Sequence, residues 1–190
     1  MKKYCILLLT MVVIAYNSKA QDKIYGGFKL APNFSLFSDE TGDLKPTIGY
    51  GAGYFEVLEL SNHINLQAEL NYSLAKFSSD VKITSSKTVT TNYSVNTLDL
   101  PVMIKYRTDG GLAFGVGYQL GLKSTTHTQV GSGTAESNPS DNKNAGFLVD
   151  LSYSTANKNI VGLRFLSPSN PQIKSFNSTN LSIYYGLKLF

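Results

Sequence analysis

Eight charged side chains stand at alternate positions within apolar stretches of this 190-residue chain: Lys29, Glu69, Asp99, Lys105, Lys123, Asp150, Arg164 and Lys188. Lys29 lies between Phe28 and Leu30, Lys105 between Ile104 and Tyr106, and Arg164 between Leu163 and Phe165. Neighbouring side chains on an extended strand point to opposite faces, so these charges share the face that the apolar residues leave. Charges gathered away from bulk water are costly unless they pair. Opposite signs here are therefore expected to form a polar network, with Lys29, Glu69, Asp99, Lys105, Asp150 and Arg164 as its members. If the turn at Ala156 to Lys158 centres on Asn157, Asp150 falls directly across from Arg164, and an ion pair is predicted between them. Two chemistries suit such a set: a structural plug of paired side chains, or a path that relays protons or ions.

Enzymatic chemistry needs a nucleophile or a metal-activated water beside a tunable base. The two histidines do not supply one, because His63 falls in a short turn and His127 at the start of a long polar segment. Neither has a His, Cys or carboxylate partner at metal-ligand spacing. Asp39, Glu40 and Asp43 form a small acidic group that falls short of the oxygen ligands calcium requires. No glycine run forms a phosphate-cradling loop between strand and helix. The expectation is a non-enzymatic protein with no catalytic residue, no metal and no cofactor.

The elements that position the charges follow from period-two alternation. Ile64, Leu66, Ala68, Leu70, Tyr72 and Leu74 share one face of a strand, while Asn65, Gln67, Glu69, Asn71 and Ser73 share the other. Eight strands are predicted, at Ile24 to Leu36, Pro46 to Leu60, His63 to Phe77, Tyr93 to Arg107, Leu112 to Ser124, Ala145 to Thr155, Asn159 to Ser167 and Asn180 to Phe190. Apolar residues fall on even numbers in the first five and on odd numbers in the last three, the switch lying across a long connection where parity is free to change. Connections alternate between short turns near Ser61-Asn62, Asp109-Gly110-Gly111 and Ala156-Asn157-Lys158 and long polar segments at Ser38 to Lys45, Ser78 to Asn92, Thr125 to Asn144 and Pro168 to Thr179. Short turns on one side and long loops on the other is the outer-membrane pattern, with the turns in the periplasm. The fold class implied is all-β, an eight-stranded antiparallel up-and-down transmembrane β-barrel with its apolar face toward lipid.

Such a barrel is just wide enough for side chains to fill. Inward glycines at Gly49, Gly51, Gly53, Gly115, Gly117 and Gly121 would ease its curvature and leave room for the larger charged groups. Tyr50, Tyr54, Tyr72, Tyr106, Tyr153 and Tyr185 point outward and suit aromatic girdles at the two water boundaries, with Tyr118 nearer mid-strand. Glu56, the one outward acid in the second strand, is expected near the periplasmic boundary.

Residues 1–20 read as a secretory signal peptide, since Lys2 and Lys3 precede an apolar run from Ile6 to Ala15 and a Ser18-Lys19-Ala20 cleavage-like triplet. Taking Lys2, Lys3 and Lys19 from the 17 basic residues leaves 14 against 13 acidic ones, which argues against nucleic acid as a partner. Cys5, the one cysteine, falls within this segment, so residues 21–190 form one barrel domain without thiol, disulfide or lipid anchor. The expected location is the bacterial outer membrane, with lipid and the barrel-assembly machinery, met through the C-terminal strand, as partners of a monomer.

The Gly-Tyr-Gly-Ala-Gly-Tyr-Phe run at 49 to 55, the Leu66-Gln67-Ala68-Glu69-Leu70-Asn71-Tyr72-Ser73 strand, Leu98-Asp99-Leu100-Pro101-Val102 and the terminal Phe190 resemble the Bacteroidetes porin-family, or PorT-like, outer-membrane β-barrel domain. The likeness covers essentially all of the chain after the leader. It implies an outer-membrane location and an eight-stranded barrel, and brings no assigned activity. Members commonly finish with an aromatic, any residue, then Phe, whereas here Phe190 shares the alternation of Lys188. The functions in view are a non-enzymatic barrel acting through envelope structure or its outer loops, a narrow gated pore or ion path, and a soluble lipocalin-like lipid carrier with the apolar face turned inward. Absence of tryptophan and the charged opposite face speak against the carrier.

Overall fold

The computed structural model describes residues 23–38, 44–84, 87–130, 133, 136–140, 144–169 and 177–189. The expected leader at 1–20, the acidic group at 39–43 and Phe190 lie outside these residues. The strands are β1 (Ile24–Ser38), β2 (Leu44–Glu59), β3 (Ile64–Thr84), β4 (Lys87–Arg107), β5 (Leu112–Val130), β6 (Glu136–Ser140), β7 (Gly146–Ser154), β8 (Ile160–Pro168) and β9 (Asn177–Lys188). Eight of them close a ring in the order β4-β3-β2-β1-β9-β8-β7-β5, with β4 pairing back onto β5 and every pairing antiparallel. β6 stands outside the ring, hydrogen-bonded to the far end of β5.

The alternation sorts the two faces. Phe28, Leu30, Ile104, Val116, Phe147 and Val149 are exposed on the outside, Leu30 at 65% and Val116 at 66%. Lys29, Lys105 and Asp150, each one residue from a member of this set, are buried inside, as is Glu69 between Ala68 and Leu70. This orientation excludes a lipocalin-like carrier, which needs its apolar face within. Tyr106, Tyr153 and Tyr185 ring the short-turn end, while Tyr118 packs edge-on against Phe147 at the other. Tyr118 is the seventh of the 19 residues of β5, nearer mid-strand as expected, because β5 runs far beyond the end of β7. Glu56 lies three residues from the short-turn end of β2, opposite Ala68.

Two short turns share one geometry. In each a four-residue turn closes with a 2.8–3.0 Å backbone bond, from Gly111 to Thr108 and from Lys158 to Thr155, and the closing residue has positive φ. This is a three-residue hairpin with a left-handed bulge position, where glycine is the natural occupant. Lys158 takes that position at φ 60° in the second turn, its ammonium 3.2 Å from Glu59 and over the Tyr25 ring.

The long connections differ from the expectation of loops. Ser78 to Asn92 is mostly a β3–β4 ribbon paired from Ser78↔Asn92 to Thr84↔Lys87, and Thr125 to Asn144 holds the end of β5 together with β6. Thr, Val and Ile in these segments favour a pleated backbone even when the composition is polar.

The candidate lumenal site

Arg164 on β8 sits at the centre of the lumen. Its guanidinium donates to both oxygens of Glu69 on β3, at 2.6 and 2.8 Å, and to Asp150 Oδ2 on β7, at 3.0 Å from Nε and 2.8 Å from Nη2. Asp150 faces Arg164 in the β7–β8 register, so the hairpin that reverses at Asn157 delivers the pair. The planar fork of arginine matches two carboxylates at once, which a lysine at this position could not do.

The two lysines complete the cluster. Lys29 from β1 donates to Glu69, and Lys105 from β4 lies 2.6 Å from Asp150 Oδ1. Gln67 and Asn71, two residues to either side on the same face of β3, donate to Glu69 at 2.6 and 2.8 Å. Tyr184 on β9 lies at the middle of the three cations, with Lys29, Lys105 and Arg164 at 5.1, 5.7 and 5.1 Å from its ring centre. Its hydroxyl donates to Asp150 at 2.9 Å and accepts from Lys105 at 3.2 Å. Tyr184 was within reach of the sequence, since its even number on β9 puts it on the inward side. A list confined to charged residues passes over it.

Close approach makes room for this set at two glycines. A Cβ on Gly115 would stand 2.8 Å from the Lys105 chain and 3.3 Å from Asp150, and one on Gly162 would stand 2.5 Å from the Tyr184 ring. The space left by these glycines is thus used by the strands beside them.

Asp99 is buried with the others but separate from them. Its Oδ2 accepts from Thr97 at 2.8 Å and from Asn144 at 3.4 Å, and no Lys or Arg among the described residues comes within ion-pair distance. Lys188 faces inward opposite Gly27 and is half-buried near the short-turn end. Lys123 corrects the expectation. A bulge pairs Leu98 with Lys123 but Asp99 with Gly121, so β5 gains one residue at Leu122 and its outer end reverses faces. Lys123 is consequently exposed on the outside and Ser124 is buried inside.

The histidines lie at opposite ends of the barrel. His63 stacks on Tyr106 beside the Arg107 carbonyl, and His127 lies on the β5–β6 ribbon opposite Ser137. Among the described residues no three His, Cys, Asp or Glu side chains are grouped to hold a metal. At the short-turn rim Glu59 accepts from Arg107 at 3.1 Å and lies 3.2 Å from the Lys158 ammonium.

A closed eight-stranded antiparallel ring with apolar residues outside and paired charges within is the build of a protein that crosses the outer membrane with strands. The chain belongs to the outer membrane protein beta-barrel domain family, which it matches over residues 15–188. It is an outer-membrane β-barrel protein of the bacterial envelope. No curated protein matches it. Among solved structures it is similar to Ail, the attachment invasion locus protein of Yersinia pestis, determined in complex with the heparin analogue sucrose octasulfate, with 7% identity and a TM-score of 0.58 over 88% of this chain and 99% of that one. It is also similar to Neisserial surface protein A, with 15% identity and a TM-score of 0.54 over 88% of this chain and 96% of that one. At these identities the likeness is one of fold.

Proposed function

We propose that the protein is a small, non-enzymatic outer-membrane barrel whose lumen is closed by paired side chains and whose outward hairpins carry its contacts. The observation that carries this reading is the Arg164 fork, which ties β3, β7 and β8 across the lumen while lysines from β1 and β4 fill the remaining width. A steady diffusion path would have to displace two carboxylates and three cations held in mutual contact. The hairpins supply the second support. β3 and β4 each have 21 residues against nine in β7 and in β8, so one side of the rim stands roughly 40 Å taller along the strand. Those ribbons are rich in Ser, Thr and Asn, and exposed, rigidly held connections are where binding residues concentrate.

Finer points belong to the same reading. Residues 1–20 serve as a cleaved export signal, the C-terminal strand engages the assembly machinery, and the barrel works as a monomer of the Bacteroidetes porin-family, PorT-like type. The test is single-channel recording of the purified barrel in planar bilayers, where a closed trace is expected. Steady open events from the unaltered protein would overturn the closed-lumen reading. A ribbon-trimmed form that keeps its insertion and loses surface binding would support the role given to the hairpins.

A further inference from the structure

Lys123, turned outward by the Leu98/Asp99 bulge, stands in register with Leu98 and, across β4, with Tyr72. Further out the same face of β3, β4 and β5 continues in two rows, first Leu74, Asn96 and Thr125, then Lys76, Ser94 and His127. Lys76 and Lys123 are both exposed, and neither is ion-paired within the described residues. Tyr72 spends its hydroxyl proton on Asn96 Oδ1 at 2.8 Å, which leaves Asn96 Nδ2 as a donor at the middle of the patch. Among the described residues the nearest acid on this face, Asp80, lies two rows beyond Lys76 and accepts from Thr90 at 2.7 Å.

Height along the strand identifies what these rows meet. From Ile64 to Leu74 the outward apolar run of β3 covers roughly 25 Å along the membrane normal for a strand tilted by about 40°, which is the height of a lipid-facing belt. Lys76 is the next outward position, and Lys123 lies at a similar distance from Leu112 on β5. With the short turns in the periplasm, both ammonium groups stand where the headgroups of the outer leaflet begin. The outward faces of β1, β7, β8 and β9 carry no charged side chain among the described residues, so positive charge at this level is confined to one side of the barrel, beneath the tall ribbons.

We infer that this wall holds a phosphate-bearing glycolipid of the outer leaflet, its acyl chains against Tyr72, Leu74 and Leu98, its phosphates on Lys76 and Lys123, and its sugar hydroxyls on Asn96. The two lysines are two strands and four residues apart, roughly 16 Å between Cα atoms, so their long stems close on a headgroup from opposite corners. Ammonium groups bind phosphate as point charges, and the apolar strip directly below supplies what a lipid has and a soluble phosphate lacks. A protein partner would have to reach the same lysines past the lipid. The inference rests on the outer-membrane placement. It is separate from the closed lumen and from what the ribbon tips bind, since Lys76 and Lys123 both lie below those tips.

The test follows the temperature at which the folded barrel, in a neutral detergent with chelator at fixed ionic strength, converts to its unfolded gel mobility. Added in turn are a diphosphorylated lipid A, the same lipid stripped of its phosphates, and inorganic pyrophosphate. A saturable rise confined to the diphosphorylated lipid is expected. Lys76→Gln combined with Lys123→Gln should raise the lipid needed for half the rise by roughly 30-fold, about fivefold for each lysine at a lipid surface. Lys76→Arg combined with Lys123→Arg keeps the charge and should keep the rise, as should Lys23→Gln, which removes an exposed lysine at the opposite boundary. No saturable response of the unaltered protein, an equal response to the stripped lipid, a response to pyrophosphate, or one unchanged in the double glutamine variant would overturn the assignment. An equal loss in Lys23→Gln would do the same, because it would mark a response to net charge.

Discussion

Neutralising Glu69 should harm this barrel more than neutralising Arg164, although the two make the same contact. Glu69 accepts from Lys29, Gln67, Asn71 and both terminal nitrogens of Arg164. Glu69→Gln keeps the shape but leaves Lys29, Lys105 and Arg164 to share the single carboxylate of Asp150. Leaving a buried charge uncompensated costs about 3–5 kcal/mol. Arg164→Met removes the excess cation instead, and the pairs Lys29–Glu69 and Lys105–Asp150 remain, each with one partner fewer. That loss falls in the range for unsatisfied buried acceptors, about 1–3 kcal/mol. The combined variant restores the balance to two cations against one carboxylate, so it should be less destabilised than the sum of its parts. Equilibrium denaturant unfolding in lipid vesicles measures all three, by far-UV circular dichroism or gel mobility because the chain has no tryptophan. An Arg164→Met cost equal to or above that of Glu69→Gln, or strict additivity in the combined variant, would refute charge balance as the organising term.

Three further outcomes are expected. Val116→Lys, facing lipid midway between Leu112 and Leu120 and opposite Ile104 and Val149, should cost about 2–4 kcal/mol in the same unfolding assay, and a negligible cost would contradict the outward face. Gly162→Ala should cost about 1–3 kcal/mol because its methyl meets the Tyr184 ring, and most of that cost should vanish when measured in a Tyr184→Leu background. Replacing residues 129–140 by a short turn should leave heat-modifiable folding intact, since the ring pairings of β5 with β7 lie below this segment; failure to insert would make the ribbon structural.

The strands and the faces were legible because lipid on one side and a crowded lumen on the other impose a strict period of two. The Asp150–Arg164 register was legible for a related reason: a three-residue turn leaves little choice of pairing, so counting outward from Asn157 reaches both residues. Lys123 was not, because a bulge shows in the sequence only as one more residue of an ordinary strand. Leu122 looks like the next outward position, and only the Leu98↔Lys123 pairing reveals that the alternation has shifted. The hairpin ribbons were hidden by composition. Ser and Thr mark loops when flanked by Gly and Pro, yet Ser78, Ser79, Thr88, Thr90 and Thr91 pair as strands in the β3–β4 ribbon.

The inward face also holds residues that polarity alone would place outside. Tyr25, Phe55, Val57 and Ile160 are all within 3% of full burial and gather in the lumen toward the short-turn end. In Phe55-Glu56-Val57-Leu58 large apolar groups fall on both faces, so the alternation there cannot say which face is wet. Their position has an electrostatic consequence. They form an apolar floor beneath the charges, and the rim group of Glu59, Arg107 and Lys158 covers that floor on its other side. With bulk water held off from below, opposite charges above the floor attract more strongly and an unpaired one is penalised more heavily. Five charges locked into mutual contact are what such a floor demands, and Asp99, alone beyond them, stands out for the same reason.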